Sequence, residues 1–66
     1  MKSVYVVQNR YVDEADEHYT TVMQFDSKLD AINEAKRVSG KFDYLAVRVV
    51  ERIIKTEDTV IEQFNE

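Results

Sequence analysis

Hydrophobic and polar positions change their period twice along this 66-residue chain. Residues 4–12 (VYVVQNRYV) are rich in β-branched and aromatic types and contain neither Gly nor Pro, which is the composition of a strand. Residues 13–17 (DEADE) set acids around one alanine and predict a solvated hairpin tip. Residues 18–25 (HYTTVMQF) then read as a second strand, and so short a loop joins the two most simply as an antiparallel hairpin. From Ser27 the period becomes helical. Leu29, Ala31, Ile32, Ala35 and Val38 form the apolar side, and Asp30, Asn33, Glu34 and Arg37 fall opposite. Ser27 with Asp30 makes a capping box, with Asp26 as an alternative cap, and Lys36 and Arg37 suit the negative end of the helix dipole. The only glycine, Gly40, stands where a left-handed residue ends a helix, so the predicted helix covers about residues 28–39.

Residues 43–55 (DYLAVRVVERIIK) predict a long third strand. Leu45, Val47, Val49 and Ile53 share one face, and Arg48 and Arg52 lie on the other with Ala46, Val50 and Ile54. Glu51 interrupts the apolar face and points to a bulge or strand end. Residues 59–64 (TVIEQF) read either as a fourth strand after a turn at Thr56-Glu57-Asp58 or as a short helix capped there. The run Thr59-Val60-Ile61 favours strand. The fold class is therefore α+β: a single domain over residues 1–66, ββαβ extended to ββαββ. Its antiparallel sheet has three to four strands in the order 2-1-3, with strand 4 outside strand 3, and one helix packs on one face.

A sheet covered on one side should alternate apolar and polar residues. Here it does not. Val4 and Val6 point one way and Tyr5, Val7 and Tyr11 the other; Tyr19, Met23 and Phe25 oppose His18, Thr20 and Val22; Val49 and Val50 are neighbours. One helix cannot cover both faces, so a patch of Tyr and Val rimmed by Arg10, Arg48 and Arg52 is expected, a composition typical of protein interfaces. The residues expected at a partner or self-association face are Tyr5, Val7, Tyr11, Arg48, Val50 and Arg52. The competing expectation is that the C-terminal segment folds over this face and completes a monomer core.

Size sharpens that choice. A domain this short rarely draws more than roughly 3–5 kcal/mol from its core. With no Cys and one His, disulfides, thiolate zinc sites and His-rich metal sites are excluded, and oligomerisation or a partner remains. Thirteen acidic against nine basic residues give a net charge of −4, which argues against direct binding to nucleic-acid phosphates. Apolar runs such as Val4-Tyr5-Val6-Val7 are too short to span a bilayer, and Asn9 and Arg10 interrupt any signal-peptide core, so a cytoplasmic protein without a membrane partner is expected.

The candidate chemistry is thin. The tip acids Asp13, Glu14, Asp16 and Glu17 suit a hard cation but lack the glycine and final glutamate of an EF-hand loop. His18 beside Glu17 has no nucleophile motif near it. Arg48 and Arg52 share a face and form a two-pronged grip for an anion, with cross-strand acids as the ordinary alternative. One glycine cannot make a phosphate loop. Tyr5, Tyr11, Tyr19 and Tyr44 would suit base stacking only with a basic track that this chain lacks. No cofactor, metal site or catalytic residue is expected.

The segment from Phe25 to Ala35, which opens the helix, and the strand Val47-Arg48-Val49-Val50-Glu51-Arg52 resemble those of small accessory proteins of bacteriophages and prophages. That resemblance implies a non-catalytic protein that binds a host factor, sometimes a defence protein, and it transfers no functional residue. The expected function is thus a non-enzymatic protein-binding module, homodimeric, acting as a phage-type inhibitor of a host protein. Two alternatives stand beside it. One is an acidic decoy of nucleic acid using Asp13, Glu14, Asp16, Glu17, Asp26, Asp30 and Glu34. The other is a binder of a small anionic ligand at a dimer seam.

Overall fold

The computed structural model describes residues 2–54 and 57–65, the side chain of Ile54 excepted. In chain order it contains β1 (Val4–Tyr11), β2 (Thr20–Phe25), α1 (Lys28–Lys41), β3 (Leu45–Ile54) and β4 (Glu57–Phe64). The strands form one antiparallel sheet in the order β2-β1-β3-β4, with α1 packed on one face. This is the α+β, ββαββ arrangement that the change of period predicted. The second reading of residues 59–64, a short helix, is excluded because they belong to β4. Of the predicted turn at Thr56-Glu57-Asp58, Thr56 lies outside the described residues, and Glu57 and Asp58 already belong to β4.

Ser27 caps α1 as its spacing predicted: its hydroxyl accepts from the Asp30 backbone N–H at 3.2 Å. Ala31 and Ala35 are buried, and Ile32 and Val38 pack against the same core. Leu29 departs from the expected stripe and is 65% exposed. The other correction is at the helix end. Gly40 lies inside α1 without a positive φ, and the helix continues through Lys41 to a cap at Phe42. One of its last carbonyls, with those of the residues just beyond it, finds a donor from a segment distant in sequence. The Asn65 side-chain amide donates to the carbonyls of Ser39 (2.8 Å), Leu45 (3.0 Å) and, at longer range, Phe42 (3.4 Å). Asn65 itself takes the left-handed conformation, φ 60°, which asparagine tolerates better than most residues. With the Ser39 carbonyl taken by Asn65 and that of Val38 by the Phe42 N–H, the helix ends without a left-handed glycine.

Direct cross-strand partners share a face, so the β1–β3 register sorts the sheet. Val7 pairs with Val49 and Tyr11 with Leu45, and this set faces α1; Val6 pairs with Val50 and Gln8 with Arg48, and this set faces away. The helix-side core joins Val7, Val47 and Val49 to Ala31 and Ala35, with Tyr5, Phe25, Leu45, Ile61 and Phe64 around them. Glu51 accepts from the Ser3 hydroxyl at 3.0 Å. The pairing slips near it, between Arg52 and Ile54, as its place on an apolar face suggested, and again between Val49 and Val50. A third slip, between Val7 and Gln8 opposite Val22, was not foreseen.

Candidate functional site

The six residues grouped as one association face do not share a face. Tyr5 and Val7 lie on the helix side, Val7 fully buried and Tyr5 packed against the core; Tyr11 shares their side but is exposed. Arg48, Val50 and Arg52 lie on the opposite side. The sequence fixes alternation within each strand, but the offset between strands decides which alternate set meets which, and an offset of one residue exchanges the faces.

The helix-free face is not an exposed apolar patch either. Val6 is 0% exposed and Val50 1%, and Ala46 is equally buried. The side chains around them are long and tied down. Arg48 donates from Nε to the Gln8 side-chain carbonyl at 2.7 Å, and Gln8, itself 7% exposed, donates onward to the Thr21 hydroxyl at 3.1 Å. The Arg48 guanidinium also sits 4.0 Å above the Tyr19 ring, with that of Arg10 at 5.6 Å. Arg52 grips Asp58 across the β3–β4 pair through two bonds of 2.7 and 2.9 Å. Arg48 and Arg52 thus flank Val50 on this face, each held by a partner of its own. The fourth strand thus contributes Asp58, a clamp at one edge, rather than the lid expected of a C-terminal segment folding over the face. Tyr19 belongs to this side and not, as alternation along strand 2 suggested, with Met23 and Phe25: the slip opposite Val22 reverses the parity of everything before it.

Electrostatics follow these pairings. The hydrogen bonds from Arg52 hold the Asp58 carboxyl below its ordinary pKa, and those from Arg37 do the same for Glu34. Asp16 is lowered by the His18 backbone N–H and then by the ring, whose Nδ1 lies 2.7 Å away. His18 is therefore a partner of Asp16 in the hairpin tip, not of Glu17. Because Arg52 is committed to Asp58, the two-pronged grip proposed for Arg48 and Arg52 loses one prong.

The acids considered for a decoy surface are not brought together. Asp13, Glu14, Asp16 and Glu17 precede β2 and Asp26 follows it, so the two groups flank opposite ends of that strand. Asp26 pairs loosely with Lys2 at 4.0 Å and Glu34 with Arg37 at 2.7 Å. Among the described residues no cluster of carboxylates or histidines is placed to hold a metal ion. A shallow cleft of about 150 Å³ lies under the hairpin tip, lined by residues that include Arg10, Tyr11, Glu14, Asp16 and His18.

What the fold does assemble is an aromatic corner where β1 ends and β3 begins. Tyr11 and Tyr44 stack with ring centroids 5.9 Å apart and planes 8° from parallel, and Phe42 tilts against Tyr44 at 5.7 Å. The backbone fixes this pair, because the Val12 N–H donates to the Tyr44 carbonyl at 3.0 Å. Tyr11 is 54% exposed and Tyr44 45%. Lys41 stands 5.6 Å over Phe42, and Arg10 is the neighbour of Tyr11 on β1. Phe42 was absent from the sequence reading; its signal is Phe42-Asp43-Tyr44, two aromatics flanking an acid directly after the helix.

Fold and surface together define a four-stranded antiparallel α+β domain with a capped helix, one helix-free face whose central valines are buried, and exposed aromatics at one end of the sheet. Comparison with family models, with curated proteins and with solved structures finds no match for this chain. Among the described residues no helix is long and apolar enough to cross a membrane.

Proposed function

We propose that this chain is a non-enzymatic protein-binding module whose partner covers the aromatic corner of Tyr11, Phe42 and Tyr44. The observation that carries the reading is the stacked Tyr11–Tyr44 pair, held by the backbone yet half exposed on both rings. Tyrosines presented rigidly lose little conformational entropy on binding, and Tyr and Arg dominate the energetic centres of protein interfaces. Lys41, over the Phe42 ring, supplies a cation at the rim. An exposed aromatic surface with a polar border suits a second protein, and the resemblance to phage accessory proteins makes a host protein the natural target. Such a module acts by occupying the surface its target needs.

The test is a Tyr11→Ala/Tyr44→Ala double variant, assayed by titration calorimetry against a partner captured with the unmodified chain and then purified. A loss of at least about tenfold in affinity at unchanged melting temperature supports the assignment. Equal binding by the variant removes the corner as the interface. Binding that instead collapses with added salt favours the acidic decoy, since apolar contacts are salt-tolerant.

A further inference from the structure

The two edges of the sheet are built differently. β4 carries Glu57, Asp58 and Glu62, and its pairing to β3 slips twice. Acids, bulges and twist are the usual devices that keep an edge from pairing with another chain. β2 has one slip of its own, at Val22, so the contrast lies in charge: its residues are Thr20, Thr21, Val22, Met23, Gln24 and Phe25, without Lys, Asp, Glu or Pro, and all but Phe25 are exposed. Val22 is 48% exposed and Met23 45%. β-branched and aromatic residues on an open, uncharged edge form a template for strand addition.

We propose that β2 is a self-association edge. Two copies pair β2 antiparallel to β2 about a two-fold axis between Val22 and Met23, and their four-stranded sheets join into one of eight, four from each copy. Three observations select a second copy as the occupant. In this register Val22 lies opposite the partner's Met23, Thr21 opposite the partner's Gln24 and Thr20 opposite the partner's Phe25, so no charge meets a like charge. Pairing through β4 would instead gather Glu57, Asp58 and Glu62 of both copies along one joint, an accumulation of like charge that β2 avoids. The third is the acidic tip at residues 13–17, which lies just before β2. Antiparallel pairing carries the two tips to opposite ends of the joint, roughly 20 Å apart at about 3.4 Å per residue and beyond a Debye length of roughly 8 Å. Parallel pairing would bring them side by side. This edge is distinct from the aromatic corner, so self-association and partner binding can coexist on one molecule.

The experiment is light scattering of the full chain from micromolar to millimolar concentration, with Val22→Lys beside it. Val22 is the exposed residue at the β1–β2 slip, so the lysine disturbs the fold little but sets two charges next to the axis. The proposal expects the unmodified chain to rise from 7.8 kDa to twice that mass while folded Val22→Lys stays at 7.8 kDa. A chain that remains monomeric at millimolar concentration overturns it, and so does a Val22→Lys variant that dimerises as readily as the parent. Should Val22→Lys fail to fold, amide hydrogen exchange of the unmodified chain decides. Protection that grows with concentration in β2 but not β4 supports the edge; the reverse, or no change in either, overturns it.

Discussion

Replacing Gly40 by alanine distinguishes two accounts of how α1 ends, because they require opposite signs. In the structure Gly40 is helical, its φ is not positive, and a Cβ added there meets nothing within 4 Å. Alanine therefore introduces no clash and removes conformational freedom from the unfolded chain, a gain of about 0.5–1 kcal/mol for an interior helical position. Gly40 is one residue from the end of α1 at Lys41, which favours the lower figure. One kcal/mol moves the midpoint of a domain this small by about 4–8 °C, so a rise of roughly 2–4 °C is expected. Had Gly40 been the left-handed terminator that its place in the sequence suggests, alanine would cost about 1–2 kcal/mol and lower the midpoint by several degrees. The assay is a thermal melt at one fixed protein concentration, which keeps any self-association constant. A chain of this length is accessible by chemical synthesis, so D-alanine at position 40 supplies the mirror test and should destabilise. A lower midpoint for L-alanine, or a higher one for D-alanine, refutes the helical assignment.

Three further outcomes follow from named contacts. Asn65→Asp keeps the shape of the side chain, removes the donors to Ser39 and Leu45 and sets a carboxylate against the negative end of α1. It should cost about 2–3 kcal/mol in urea unfolding, and Asn65→Gly, which keeps the backbone angle, only about 1; equal stability of all three chains would dismiss the cap. Val50→Glu buries an unpaired charge on the helix-free face and should abolish the cooperative melt, whereas a folded, monomeric Val50→Glu would restore that face as a docking surface. The folded pKa of Asp58 is depressed, so its bond to Arg52 contributes stability above the ordinary carboxyl value of about 3.9 and loses it as pH falls through the lower folded value. The stability difference between the parent and Asp58→Asn should shrink below pH of about 4; a difference constant from neutral to strongly acid solution means the pair contributes nothing.

How much of this was legible in the sequence depends on how local each determinant is. The cap at Ser27, the stripe of Ala31, Ile32, Ala35 and Val38, and the β-branched strands are set by neighbours along the chain, and the strand order follows from short connections. What escaped was decided between segments distant in sequence. Asn65 ends a helix some twenty-five residues before it, so Gly40, read locally, was given a conformation it does not adopt. The slip opposite Val22 is invisible in a run of six uncharged strand residues, yet it moves Tyr19 from one face to the other. The same holds for the grouping of Tyr5 and Val7 with Arg48, Val50 and Arg52: alternation within each strand was read correctly, and the register between strands could not be.

That register also explains why apolar residues on both faces of a sheet need not mean an open sticky face. Val6 and Val50 are small, adjacent and central, so the side chains at neighbouring positions suffice to cover them once each is held in place. Gln8 and Tyr19 hold Arg48, and Asp58 holds Arg52. A truncation at Gln8, Tyr19 or Asp58 should therefore act twice, losing its own contact and freeing an arginine that flanks Val50. With one face under α1 and the central valines of the other buried, the rim of the sheet offers two surfaces for recognition: the aromatic corner and the uncharged edge. The chain's acidic balance then has a physical use. The charges of β4 keep that edge from pairing, and their absence from β2 leaves one edge, and one direction of pairing, open.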